Sequence, residues 1–261
     1  MIENKTFRRF QLGLGFLVCI IACVGFLYNY FAEKAAENYY RQSAEKIIAD
    51  IEKNTQKNSK KTTVKIVKEN TNPKVNKREP ISEIKEKETG EINQLHSVWD
   101  SYIYIPGTNI CYPVMQGNDN KYYLNHLPTG SYSNTGSIFM DCNSNINDFN
   151  VILYGHNMKN DTMFGQLSEY YMNDTFAKEK NTMSLCLKGQ RNTYKLLSVR
   201  VVQYDDNSYD KNPENKEEWV NEQYISSMVD CGYIDEITNY VTLSTCGSTD
   251  TEKIITIWAR I

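Results

Sequence analysis

Histidine is scarce in this chain, with three in 261 residues, so imidazole chemistry has only His96, His126 and His156 to draw on. The seven cysteines, Cys19, Cys23, Cys111, Cys142, Cys186, Cys231 and Cys246, are odd in number. No CxxC pair or Cys/His cluster has the spacing of a zinc site, and scattered single cysteines read first as small buried hydrophobes. Glycine is thinly spread, with no phosphate-binding glycine-rich loop and no repeat period. Net charge is only -3, which removes the general electrostatic reason to expect nucleic acid as a partner. Asp141 and the pair Asp205-Asp206 lack a calcium-loop pattern, so neither a metal nor another cofactor is expected.

Aromatics are plentiful, at 12% of the chain, which argues against a largely disordered polymer. At ~100–200 residues per domain the length suits one or two domains. The small net charge conceals an asymmetry. Residues 96–261 carry 12 basic and 20 acidic groups, whereas residues 33–95 carry 14 basic and 11 acidic. An acidic globular part therefore follows a slightly basic stalk.

Phe10–Ala32 is a run of 23 uncharged residues. As a helix it would span about 35 Å, enough for a hydrocarbon core of about 30 Å. Lys5, Arg8 and Arg9 precede it, and Tyr28, Tyr30 and Phe31 close it as interfacial aromatics. This predicts a retained single-pass anchor with residues 1–9 inside and the bulk of the chain outside. A cleaved signal peptide fits less well, because the run is long and ends in bulky aromatics. Residues 33–80 read as an extracellular stalk. Ala36, Tyr40, Ile47 and Ile51 keep a helical stripe over residues 33–53, and the Asn/Lys/Thr-rich stretch from Asn54 to Glu79 reads as a solvated tether. Thr63–Val67 has strand composition with nothing beside it to pair.

From Ile81 onward the pattern changes. Ile81, Ile84, Ile92, Leu95 and Trp99 suggest short helices, with His96 capping or packing among them. Eight short β-type runs follow, near residues 102–105, 110–114, 137–140, 151–154, 183–187, 194–204, 240–244 and 254–258. Helical stretches are expected near 161–171 and 214–229. Many short strands in one unit predict a mainly β barrel or sandwich. His156 follows the apolar run Val151-Ile-Leu-Tyr-Gly155, and Cys246 follows Tyr240-Val-Thr-Leu-Ser-Thr245. Both therefore sit at strand ends, where a side chain reaches a rim and a thiol can be exposed. A Cys/His pair assembled from distant positions supplies a nucleophile and a proton carrier.

Thr242-Leu-Ser-Thr-Cys246 resembles the TLxTC signature of sortases, the membrane-anchored transpeptidases of Gram-positive bacteria, and Ile152-Leu-Tyr-Gly-His156 resembles their histidine segment. Ile105-Pro-Gly-Thr-Asn-Ile110, Tyr112-Pro-Val-Met-Gln-Gly117, Tyr123-Leu-Asn125, Gly136-Ser-Ile-Phe-Met-Asp141 and Thr162-Met-Phe-Gly165 resemble class B sortases in order and spacing. The resemblance covers about residues 81–261. It implies an eight-stranded sortase barrel with N-terminal helices and a helix between strands six and seven.

The resemblance also implies that Cys246 attacks a carbonyl of a cell-wall sorting signal to form a thioacyl-enzyme, with His156 as general acid/base. The partners implied are surface proteins bearing a C-terminal sorting signal and a peptidoglycan-precursor amine. Asn120, Leu124 and Ser244 match groove-lining positions. The family's arginine at the start of the last strand is missing. Lys253 or Ile254 aligns there, and Lys253 is expected as a point-charge substitute without arginine's two-pronged contact. Arg260 falls about 20 Å down the strand at about 3.3 Å per residue, and Arg191 and Arg200 are outsiders. A pilin-polymerising sortase and a catalytically impaired, membrane-tethered binding module remain as alternatives. Residues 205–217 are expected to shape specificity, and His126 to lie on the surface or the groove rim.

Overall fold

The computed structural model describes residues 3–68, 100–232, 234, 239–247 and 251–261. The eight strands are β1 (Tyr102–Tyr104), β2 (Cys111–Gln116), β3 (Ile138–Met140), β4 (Asn150–Tyr154), β5 (Thr182–Leu187), β6 (Gln190–Gln203), β7 (Tyr240–Cys246) and β8 (Glu252–Arg260). Hydrogen bonding closes them into a barrel in the order β1-β2-β3-β4-β7-β8-β6-β5. Only the pairs β2/β3 and β4/β7 are parallel. Closure leaves no strand edge unpaired among the described residues.

Period-2 alternation sorts the side chains onto two faces. Val241 and Leu243 of β7 turn inward with Leu153, Leu196 and Trp258. Tyr240 turns outward with Ile255, Ile257 and Ala259 into a second cluster beneath Trp219 and Val220. The same alternation puts Thr242, Ser244 and Cys246 on the outer face. The helix carrying Trp219 joins β6 to β7 and spans Lys216–Ile225. The Asn215 side chain caps it by accepting from the Glu218 N–H, and Glu217 and Glu218 occupy its first turn. It stops short of the expected Val229 because β6 captures the chain. The Met228 N–H donates to Val199 O, and the Val199 N–H donates to Ser227 Oγ.

Asp161 and Met163 adopt left-handed backbone (φ 60° and 54°), which breaks the helix expected over 161–171. Two short helices follow instead, Leu167–Met172 and Asp174–Glu179.

The N-terminal helix, α1, runs unbroken from Glu3 to Lys68. It contains an 18-residue window of mean hydropathy 2.0, long and apolar enough to cross a membrane. The helix passes through Asn54 and through the Thr63–Val67 run, in place of the irregular tether expected there. No Gly or Pro occurs between Gly25 and Pro73 to stop it. Its stripe is seated on the barrel: Ala36 and Tyr40 join the main core, and Ile47 packs with Tyr102, Cys111 and Cys186. Arg191 reaches back to Asp50 at 2.6 Å. The expected helices near Ile81–Trp99, His96 and the remainder of the stalk to residue 80 lie outside the described residues.

Candidate active site

β4 and β7 run parallel with Tyr154 opposite Ser244. His156 and Cys246 each lie two residues beyond that pair, on strands spaced about 4.8 Å apart. Imidazole and thiol therefore leave the same end of the barrel. Gly155 holds the two strand ends together. Its N–H donates to Ser244 O at 3.2 Å, and its carbonyl accepts from Thr245 Oγ1 at 2.8 Å. A Cβ at Gly155 would lie 2.4 Å from Ile138 and 2.8 Å from Phe164, so only glycine fits. The Asn157 side-chain amide donates to Cys246 O at 2.8 Å, closing the junction from the loop side. Cys246 is exposed. His156 is half-buried, with Nε2 2.6 Å from Leu124 O.

The β7–β8 register places the two residues aligned with the missing arginine differently. Lys253 is opposite Cys246, whereas Ile254 is opposite Thr245 and packs in the barrel core. Lys253 Nζ lies 3.6 Å from Cys246 Sγ as a donor. The arginines lie elsewhere. Arg260 is at the opposite end of β8 beside Tyr194, Arg191 is paired with Asp50, and Arg200 is paired with Asp206 and bonded to Gln223.

The three expected groove residues divide by what they offer. Leu124 presents an exposed side chain and gives its carbonyl to His156. Ser244 is buried, and its hydroxyl bonds to Tyr209 OH at 2.7 Å. Burial pushes the Tyr209 phenol up to about 12, so the bond is between neutral hydroxyls. Asn120 uses both ends of its amide, donating to Asp141 Oδ2 at 2.7 Å and accepting from the Cys142 N–H at 2.8 Å. Its amide thereby frames the Asp141–Cys142 turn.

Asp141 is the hub of that frame. It also accepts from Tyr154 OH, the Asn143 N–H and Lys211 Nζ. Burial raises its carboxyl pKa, but the bonds from Asn120 and Asn143 and the Lys211 charge outweigh this and hold it below the usual carboxylate range. The loop over residues 205–217 is fixed across β4 and β7. The Asn150 side chain donates to Ser208 O and Asp210 O, and its N–H donates to Lys211 O. Tyr154 stands out only as part of the run Ile152–His156 that resembles the family's histidine segment. Asn157 and Tyr209 carry no sequence signal of their own, and Asp141 stands out only as the end of the run Gly136–Asp141. His126 lies in a surface aromatic group, stacked on Tyr122 at 4.0 Å.

Cysteine reactivity follows from this arrangement. Burial pushes the Cys111 thiol up to about 12 and Cys231 up to about 11, and it raises Cys186 as well. All three remain protonated at pH 8, and Cys111 and Cys186 are also shielded from solvent. Brief iodoacetamide treatment followed by peptide mass mapping is expected to label Cys246 first among the five barrel cysteines. Half-buried Cys142 and Cys231 should follow, Cys231 the more slowly because its thiol is held protonated, and buried Cys111 and Cys186 should need unfolding. Equal labelling of Cys111 or Cys231 in the folded protein would contradict this.

A closed eight-stranded barrel with a thiol and an imidazole just past the ends of adjacent parallel strands is an arrangement that can support cysteine-dependent chemistry. The sortase domain model matches residues 103–261, and the chain belongs to the sortase family of cysteine transpeptidases. Its relatives are class B. It is 30% identical to Staphylococcus aureus sortase B over 170 residues, covering 61% of this chain and 68% of that protein. Identity to Listeria monocytogenes sortase B is 39% over 90 residues, covering 33% of this chain and only 36% of that protein. The crystal structure of Clostridium perfringens sortase B superposes with a TM-score of 0.59 at 33% identity, covering 66% of this chain and all of the other.

Proposed function

We propose that the chain cleaves a cell-wall sorting signal and joins the released surface protein to a peptidoglycan amine. The observation that carries the reading is the shared strand-end position of Cys246 and His156, with Lys253 Nζ beside the sulfur. In the first half-reaction the Cys246 thiolate adds to the scissile carbonyl carbon. As the C–N bond breaks, His156 gives a proton to the departing amine, leaving a thioester on Cys246. In the second, an incoming primary amine adds to the thioester carbonyl and loses a proton to His156. The C–S bond breaks, and the sulfur leaves as thiolate. Lys253 offers its ammonium to the oxyanion of both tetrahedral intermediates. Leu124 and the face formed by Ser244 and Tyr209 bound the peptide groove. The apolar part of α1 anchors the enzyme to the membrane, with the barrel outside.

The test is mass spectrometry of the full chain in detergent micelles, mixed with a sorting-signal peptide library but no amine. A thioacyl adduct on Cys246 is expected, discharged when a primary amine is added. An enzyme that gains no adduct from any peptide, and behaves like Cys246→Ala, sinks the reading. The Lys253 contact weighs against a catalytically impaired binding module. Lys253→Ala is expected to lower kcat by ~10²–10³-fold, the usual cost of losing one oxyanion donor, with Lys253→Arg retaining most activity. Steady-state kinetics on the adduct-forming peptide checks both. An alanine variant within threefold of wild type would place the oxyanion donor elsewhere.

A further inference from the structure

His156 Nε2 faces the backbone carbonyl of Leu124 at 2.6 Å. A carbonyl oxygen only accepts, so Nε2 must carry a proton. In the neutral ring the basic lone pair then lies on Nδ1. The placement of the Leu124 carbonyl thus decides which nitrogen can exchange protons with the substrate amine.

What holds that carbonyl is the Gly136–Ser137 segment. The Ser137 N–H donates to Tyr123 O at 2.9 Å, and Ser137 Oγ donates to His126 O at 2.7 Å. Gly136, at φ 60°, lies directly against the Leu124 backbone. A Cβ there would come 2.5 Å from Leu124 O and 2.6 Å from Tyr123 O. This segment is held in turn by α1. Tyr40 OH donates to Gly136 O at 2.5 Å and lies 3.3 Å from Ser137 Oγ, with its ring packed edge-on against Tyr112.

We propose that Tyr40, on the helix that also carries the apolar anchor segment, is a positioning residue for His156, acting through Gly136, Ser137 and the Leu124 carbonyl. The stalk helix is then part of the active site's support, and the barrel without residues 33–53 is an incomplete enzyme. This rests on the assignment of His156 as the proton carrier.

The experiment uses the full chain in detergent micelles with ¹⁵N-labelled histidine. The chain has three histidines, and His156→Gln identifies the resonances of that ring. With the pH raised until the ring is neutral, wild type is expected to hold His156 in the Nε2–H form. Tyr40→Phe should shift its nitrogen signals toward a tautomer average and lower kcat roughly tenfold with KM within twofold, as expected for a misplaced catalytic group. Gly136→Ala should act in the same direction and more strongly. If Gly136→Ala does not fold, Ser137→Ala supplies the second variant. Wild-type nitrogen signals and kcat in Tyr40→Phe overturn the proposal, as does a fall in kcat that comes with a lower Tm and unchanged His156 signals. The imidazole signals are read without peptide turnover. A wild-type enzyme inert toward all peptides therefore defeats the transpeptidase reading, whereas an imidazole indifferent to Tyr40 defeats only this one.

Discussion

Cys246→Ala is expected to lower transpeptidation by at least ~10⁴-fold, because under the proposed mechanism the group that forms the covalent intermediate is gone and no thiol among the described residues replaces it. Cys142 is half-buried, and Cys111, Cys186 and Cys231 are protonated by burial. The substitution should leave the fold intact. The Cys246 side chain is exposed, while the β7–β8 register around it is held by backbone pairing and by Ile254 in the core. A stability change within ~0.5 kcal/mol is therefore expected. Chromatographic quantification of ligated peptide beside a thermal melt tests both halves. A variant that stays folded and keeps a tenth of the wild-type rate would mean that another nucleophile operates.

The second large effect is that of His156→Gln, expected at ~10²–10⁴-fold in kcat, the range for removing a general acid/base. Glutamine can still donate an amide hydrogen toward Leu124 O, so the loop around residue 124 should keep its place. Magnitude alone would not separate proton transfer from misfolding; the leaving group does. A substrate whose scissile amide is replaced by an activated ester needs no protonation to depart. Acylation by the variant should then recover to within about tenfold of wild type, while transfer to an amine stays slow and the thioester accumulates on Cys246. If the variant is equally impaired on amide and ester, His156 has a role other than protonating the leaving amine.

Much of this architecture was legible because short runs rich in branched and aromatic residues mark strands. Each of the eight β runs keeps an inward apolar set, and the motifs at the ends of two of them located Cys246 and His156 before any geometry was known. Lys253 needed more. Sequence alone allowed Lys253 or Ile254, and a one-residue difference in hairpin register reverses which side chain faces the sulfur. The stretch from Asn54 to Lys68 is helical for a different reason. A stretch poor in apolar residues cannot fold by itself, yet a helix already formed is extended cheaply until a Gly or Pro intervenes. Ala36, Tyr40 and Ile47 then find their partners on the barrel. The break at Asp161–Met163 is tertiary in origin, since the Met163 N–H is bound to Tyr112 OH from β2. The Asp141 hub gathers Asn120, Tyr154 and Lys211 from separate segments, and no local pattern announces such a convergence.

The parallel pairing of β4 with β7 carries a consequence for the newly made chain. Gly155 and Thr245, the residues that join the two strand ends, are 90 positions apart in sequence. Long-range parallel pairings of this kind form slowly. Until that seam closes, sulfur and imidazole are unrelated side chains on a mobile polymer. The enzyme is thus born latent, and its chemistry switches on only when the barrel is complete.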